Sequence, residues 1–206
     1  FRPEHNAGYP TSPPTAYKND AGYKVELLTP RRDGRKPDVE PARVSGLEGI
    51  AAQPLNLMDY LTRNPGRSIL LHGEGVAVTV PDPARYAIHK VIVSQIRGAS
   101  GAGKRGKDLG QSEEILEALA ARGTAGDAAH AWEEAWNRAK SLRPTIANGA
   151  LSLRGSALQI LGSACSRYGI EPFQDGEPPE ESLRKIISRR MPAPHAKGRD
   201  GKGRGD

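Results

Sequence analysis

Ser68-Ile69-Leu70-Leu71-His72-Gly73-Glu74-Gly75-Val76-Ala77-Val78-Thr79-Val80-Pro81-Asp82-Pro83-Ala84-Arg85-Tyr86-Ala87-Ile88-His89-Lys90-Val91-Ile92 decides the fold class, because the apolar period changes within it. Residues 68–72 and 76–80 are β-rich runs separated by Gly73-Glu74-Gly75, and Pro81 closes the second, which is the pattern of a hairpin. From Asp82 the period becomes 3.6. Asp82 suits an N-cap, Pro83 suits the first helical position, and Ala84, Ala87, Ile88, Val91 and Ile92 share one face. A hairpin running into an amphipathic helix, which is expected to pack on the sheet, predicts an α+β protein with a mixed or antiparallel sheet of at least three strands.

Working outward towards the N-terminus, residues 49–61 fit a short strand or turn leading into a helical turn, and residues 31–43, charged and rich in Gly and Pro, fit an exposed loop. Tyr23-Lys24-Val25-Glu26-Leu27-Leu28-Thr29 reads as a strand stopped by Pro30, with Val25, Leu27 and Thr29 on one face. Residues 1–20 read as extended or loop sequence. Towards the C-terminus, residues 98–106 form a glycine-rich basic loop, followed by a helix through Leu109, Ile115, Leu116 and Leu119 that ends before Gly123. A third helix starts near Gly126, uses Trp132 and Trp136, and stops near Pro144. A fourth spans Ala150 to Arg167, and a short one Glu180 to Arg190. Beyond Met191 the Gly- and Lys-rich tail lacks the apolar residues for a core and is expected to be disordered. The resulting division is a sheet portion at 1–81, helices with the basic loop at 82–122, a helical domain at 123–190, and a tail at 191–206.

The 206 residues are enough to bury a core. Thirty Lys and Arg against 24 Asp and Glu leave a net charge of +6, a balance that leans towards polyanions such as nucleotides or RNA. A single cysteine, Cys165, excludes a disulfide framework or a Cys-based zinc cluster and fits a reducing compartment, so a cytoplasmic location is expected. No apolar run approaches the roughly 20 residues of a membrane span, and no basic stretch followed by an apolar one opens the sequence, so no membrane partner is expected.

Six basic residues, Arg85, Lys90, Arg97, Lys104, Arg105 and Lys107, fall around one helix end and one loop, and helical spacing puts Lys90, Ser94 and Arg97 on one side. Point charges from Lys and forked donors from Arg suit a polyphosphate, although the same spacing describes a solvated basic face. The run does not make a phosphate-cradling P-loop. Gly98 is followed by Gly103-Lys104, but Arg105 stands where a Ser or Thr would hold magnesium, and a helix rather than a strand precedes it. Glu26, a carboxylate on a strand among apolar neighbours, suits either a metal ligand or an exposed edge. His5, His72, His89, His130 and His195 have no ligand spacing, and Cys165 reads as a core packer. Trp132 and Trp136 have the spacing of a packing stripe, which competes with a role in stacking bases.

Three stretches, residues 23–30, 51–61 and 81–90, together with Lys107-Asp108-Leu109-Gly110-Gln111, resemble a bacterial family of nucleotidyltransferase-fold proteins in the DNA polymerase β-like superfamily. That family is distantly similar to abortive-infection toxins, and the likeness covers about residues 1–120. The resemblance implies a mixed sheet with flanking helices, magnesium, and an NTP as nucleotidyl donor. In the superfamily a Gly-Ser turn and two carboxylates on the next strand bind two metal ions, and a third carboxylate on a later strand completes the site. By position Glu26 matches the third carboxylate, which makes it the implied catalytic and metal-binding residue. Lys90 would meet the phosphates with Arg97, Lys107 and Arg85 in support, and Asp108 would orient one of these bases or the acceptor. No Gly-Ser turn followed by Asp-x-Asp occurs in the sequence. Gly46 and Gly155-Ser156 lack the downstream pair, so an upstream portion is expected to precede Phe1 in the parent, and the chain by itself is expected not to transfer nucleotides. The acceptor implied is RNA, a protein or a small molecule. The competing expectation is a degenerate, non-catalytic module whose basic loop and tail hold nucleic acid or a partner, and a toxin–antitoxin role is compatible with the first.

Overall fold

The computed structural model describes residues 1–31, 40–97, 102–173 and 176–188. It is an α+β protein, and its chain divides into two compact units, residues 1–89 and 90–206, with the boundary inside one helix.

The first unit holds three small sheets. Strands β1 (Arg2–Glu4), β2 (Ala16–Lys18) and β3 (Lys24–Glu26) form an antiparallel sheet in that order, with Glu4, Ala16 and Glu26 opposite one another. Strand β4 (Leu28–Pro30) runs parallel to β6 (Ala51–Leu55), and β5 (Ala42–Arg43) pairs antiparallel on the other side of β6. The single strand expected at 23–29 is therefore two. The break falls at Leu27, whose N–H donates to the Thr15 carbonyl at 2.8 Å while its own carbonyl accepts from Gln53 N at 2.8 Å. The backbone changes partner there, so Val25 and Thr29 do not share a buried face, and Val25 is exposed.

Helix α1 (Met58–Leu61) follows β6 and buries Tyr60 and Leu61. Strands β7 (Gly66–Leu70) and β8 (Val76–Val80) make the expected hairpin, with Ser68 opposite Val78. Its loop carries Gly73 and Gly75 at positive φ, a region that favours glycine. The hairpin is a separate two-stranded sheet rather than part of a larger one, and all its strand residues except the half-buried Val78 are exposed.

Helix α2 (Pro83–Ile96) starts as the sequence indicates: Asp82 Oδ1 accepts from the Arg85 N–H at 2.9 Å, closing the first turn. The neighbour shown for its apolar stripe lies in the second unit and is a helix rather than a sheet, for Val91 packs on Gly149.

The second unit is helical, with α3 (Ala102–Ala121), α4 (Ala125–Arg138), a 3-10 turn (Lys140–Leu142), α5 (Arg143–Leu151), α6 (Gly155–Arg167) and α7 (Pro179–Ser188). Three boundaries differ from expectation. Helix α3 begins at Ala102, so residues 102–106 are helix rather than loop. Pro144 does not end a helix but sits in the first turn of α5, where its missing N–H has no intrahelical partner to lose. The helix expected from Ala150 is interrupted at 152–154, between α5 and α6. The core is built on Trp132 and Trp136, stacked with centroids 5.4 Å apart, and on Ile146, Leu161, Phe173 and Leu183, all fully buried. The tail expected beyond Met191 lies outside the described residues, as do residues 32–39 of the loop expected at 31–43, whereas Ala42–Arg43 of that stretch is strand β5, held by its pairing with β6. No helix among the described residues is long and apolar enough to cross a membrane.

Candidate functional site

Lys90 and Arg97 are two helical turns apart on α2, which brings their side chains to the same side, and α3 presents Asp108 to both. Asp108 is buried, at 2% exposure. Its Oδ1 accepts from Lys90 Nζ at 2.8 Å, and its Oδ2 accepts from Arg97 Nε. Burial pushes the Asp108 carboxyl up, but the hydrogen bonds from Arg97 and Lys90 and the two positive charges outweigh it and hold the group below its ordinary value of 3.8. The same contact raises Arg97 above its ordinary value. Two cations on one carboxylate leave the trio with net positive charge, and Arg97 binds it through Nε.

The remaining basic residues take different places. Arg105 Nε donates to the Ser94 carbonyl at 2.9 Å, in the last turn of α2, where carbonyls lack intrahelical partners. Lys104 and Lys107 are exposed on α3. Ser94, which the spacing put beside Lys90 and Arg97, is fully buried and donates back to the Val91 carbonyl at 2.7 Å. Arg85 belongs to the first unit, with its guanidinium 5.3 Å from the centre of the Tyr60 ring, a cation–π contact. Of the six bases, the structure thus joins Lys90 and Arg97 through Asp108 and seats Arg105 on the end of the same helix.

Glu26 is on β3 in the first unit, exposed, and 2.8 Å from Lys24 Nζ. Lys24 also reaches Glu4, at 3.1 Å, so the ammonium lies between two carboxylates that flank Ala16 on one face of the sheet. Hydrogen bonds to Glu26 and Glu4 raise Lys24 above its ordinary value. These carboxylates line a cavity of about 390 Å³ with Asn6, whose side-chain amide donates to Gln53 Oε1 at 2.6 Å. Among the described residues no group of three or more His, Cys, Asp and Glu is placed to hold a metal ion. A complete two-metal centre is not built from these residues. The two carboxylates that a magnesium ion would use here, Glu26 and Glu4, are both ion-paired to Lys24.

Sequence reading missed Glu4, because its pairing with Glu26 exists only through the register of three strands. It also missed Glu113, a buried carboxylate of α3 that accepts from Arg154 N at 2.7 Å and Arg154 Nε at 2.6 Å. Glu171 was missed too. Its backbone carbonyl accepts from Trp132 Nε1 at 2.9 Å, and its carboxylate accepts from Trp136 Nε1 at 3.2 Å and Arg143 Nη1 at 2.9 Å. With their N–H groups satisfied and their rings fully buried, the tryptophans are core residues, unavailable for stacking on bases.

Small sheets followed by helices, with Lys90 and Arg97 joined by a buried Asp108, make an α+β protein with a fixed cationic pair on its second unit. A family model described as Nucleotidyltransferase matches residues 3–137, more than half of the chain, and the chain belongs to this nucleotidyltransferase family. The match runs from β1 into α4 and contains Glu26, Arg85, Lys90, Arg97, Lys107 and Asp108. No curated protein and no solved structure matches the chain.

Proposed function

We propose that the chain serves magnesium-dependent nucleotidyl transfer from an NTP to an RNA, protein or small-molecule acceptor, and that its part is to bind the triphosphate. The observation that carries this reading is the Asp108 carboxylate, which holds Lys90 and Arg97 side by side in one fixed geometry. A triphosphate needs cations already in place, because ordering two long side chains at the moment of binding costs about 0.5–1.5 kcal/mol each. Lys90 and Arg97 neutralise phosphate oxygens, Lys107 adds positive charge, and Asp108 positions the pair. Within the first unit, Glu26 is the carboxylate proposed for magnesium, which when bound would stabilise charge on phosphate oxygens.

The test is titration of the chain with Mg·ATP, Mg·GTP, Mg·CTP and Mg·UTP, reading affinity. Lys90→Ala is expected to weaken binding of the preferred nucleotide at least tenfold. Unchanged affinity would remove the cluster from the site. Glu26→Ala is expected to weaken the magnesium dependence of nucleotide binding while leaving the fold intact, and an unchanged dependence would remove Glu26.

The lack of an Asp-x-Asp pair in the sequence favours a second reading, a non-catalytic module that holds RNA through exposed bases such as Lys104 and Lys107. RNA affinity would then fall steeply with salt through counterion release and would not require magnesium.

A further inference from the structure

The β7–β8 hairpin is the part of the molecule least accounted for by its own fold. A two-stranded hairpin is marginal in water unless a further strand or helix covers it. Here Ile69 is 66% exposed, Leu70 58% and Leu71 93%, and Val76 and Val80 are exposed as well. Soluble proteins guard such edges with charges, prolines or bulges. Strand β8, Val76-Ala77-Val78-Thr79-Val80, carries no charge, whereas β7 carries Arg67; a proline flanks each, Pro65 before β7 and Pro81 after β8.

We propose that the open edge of β8 pairs antiparallel with β8 of a second copy of this chain, giving a four-stranded sheet across a two-fold axis at Val78. The occupant is argued from charge and self-complementarity. Strand β8 is uncharged throughout, so pairing it with itself sets no like charges opposite one another. Its sequence is also nearly symmetric about Val78. Reversed against itself, Val76 meets Val80, Ala77 meets Thr79 and Val78 meets Val78, so each valine finds a valine on the same face, as an isologous interface requires. Each strand already places Val76, Val78 and Val80 on the face that carries Leu70, because Leu70 lies opposite Val76 and Ser68 opposite Val78. The pairing would join two small apolar faces into one and satisfy the backbone groups of both edges. An interface of this size gives a weak, concentration-dependent dimer.

The experiment is sedimentation equilibrium of the whole chain at concentrations up to the order of 100 μM, the regime of a small transient interface. The expected result is a shift from 22.1 kDa towards twice that mass. Val78→Lys, which sets two ammonium groups face to face on the axis, is expected to weaken the dimer about tenfold or more. Ile69→Lys, which adds the same charge on β7 but on the opposite face from Val78, is expected to leave it within about twofold. Amide chemical shifts of residues 66–80 in NMR report that each variant keeps the hairpin folded. A monomeric wild-type chain overturns the proposal without any variant. So does a dimer that survives Val78→Lys, or one that both variants dissociate, since the contact would then lie elsewhere than the β8 edge.

Discussion

Asp108 illustrates how one side chain sets the character of its neighbours. Removing a buried carboxylate that answers two cations leaves those cations uncompensated, so Asp108→Ala is expected to destabilise the second unit by about 3 kcal/mol, measured by urea denaturation. The pH dependence follows from the direction of its shift. Its folded-state carboxyl lies below 3.8, so the unfolded chain takes up the proton first as pH falls. The stabilisation is fully present above that value and is lost as the pH drops through the folded one. Wild-type stability is therefore expected to fall in acid below about pH 4, and an Asp108→Asn variant, already lacking this contribution, to show a flatter acid limb in the same denaturation series. Lys90 and Arg97 could be named from sequence, because i, i+7 spacing on a helix is a local pattern, and Asp108 through the family resemblance that Lys107-Asp108 carries. Which oxygen of Asp108 meets which cation could not, since that depends on how α2 and α3 cross.

Elements of the second unit are tied by contacts that spacing does not announce. Glu113 of α3 accepts the backbone N–H of Arg154, the residue that precedes α6, and so fixes the start of that helix from outside. Glu113→Ala is expected to cost about 2 kcal/mol, the range of a hydrogen bond to a charged group, and to raise hydrogen exchange in the first turn of α6 above that in α4. Helix α5 lies so close to α2 that a Cβ on Gly149 would stand 2.5 Å from the Val91 carbonyl oxygen. Backbone does not yield as a side chain does. Gly149→Ala is expected to lower stability by about 2 kcal/mol through overpacking, read as a fall in thermal midpoint. The helices were legible because their apolar stripes are long, and the hairpin because Gly73 and Gly75 interrupt two β-rich runs. Boundaries misled where one residue has two uses. Pro144 both stops helices and starts them, and the glycines at 103 and 106 suggested a loop although a helix of 20 residues absorbs them. The division of residues 23–29 between two sheets had no local signal, because it rests on Thr15 and Gln53.

At the scale of the molecule, the net charge and the family assignment point to one class of ligand. Both the triphosphate reading and the RNA reading use positive charge, and salt and magnesium separate them, as the titrations above are arranged to show. The family was legible from motifs that the match to residues 3–137 encloses, whereas its acidic pair is not in this sequence at all. Cys165 adds something practical. It is fully buried on α6, and burial, with the charge of Glu133, pushes its thiol well up from the ordinary value. The native chain is therefore expected to ignore a thiol reagent such as Ellman's until urea exposes its single cysteine. A cysteine introduced at any exposed position would then be the only reactive one, so dyes and spin labels can be placed at a chosen site without first removing the natural thiol.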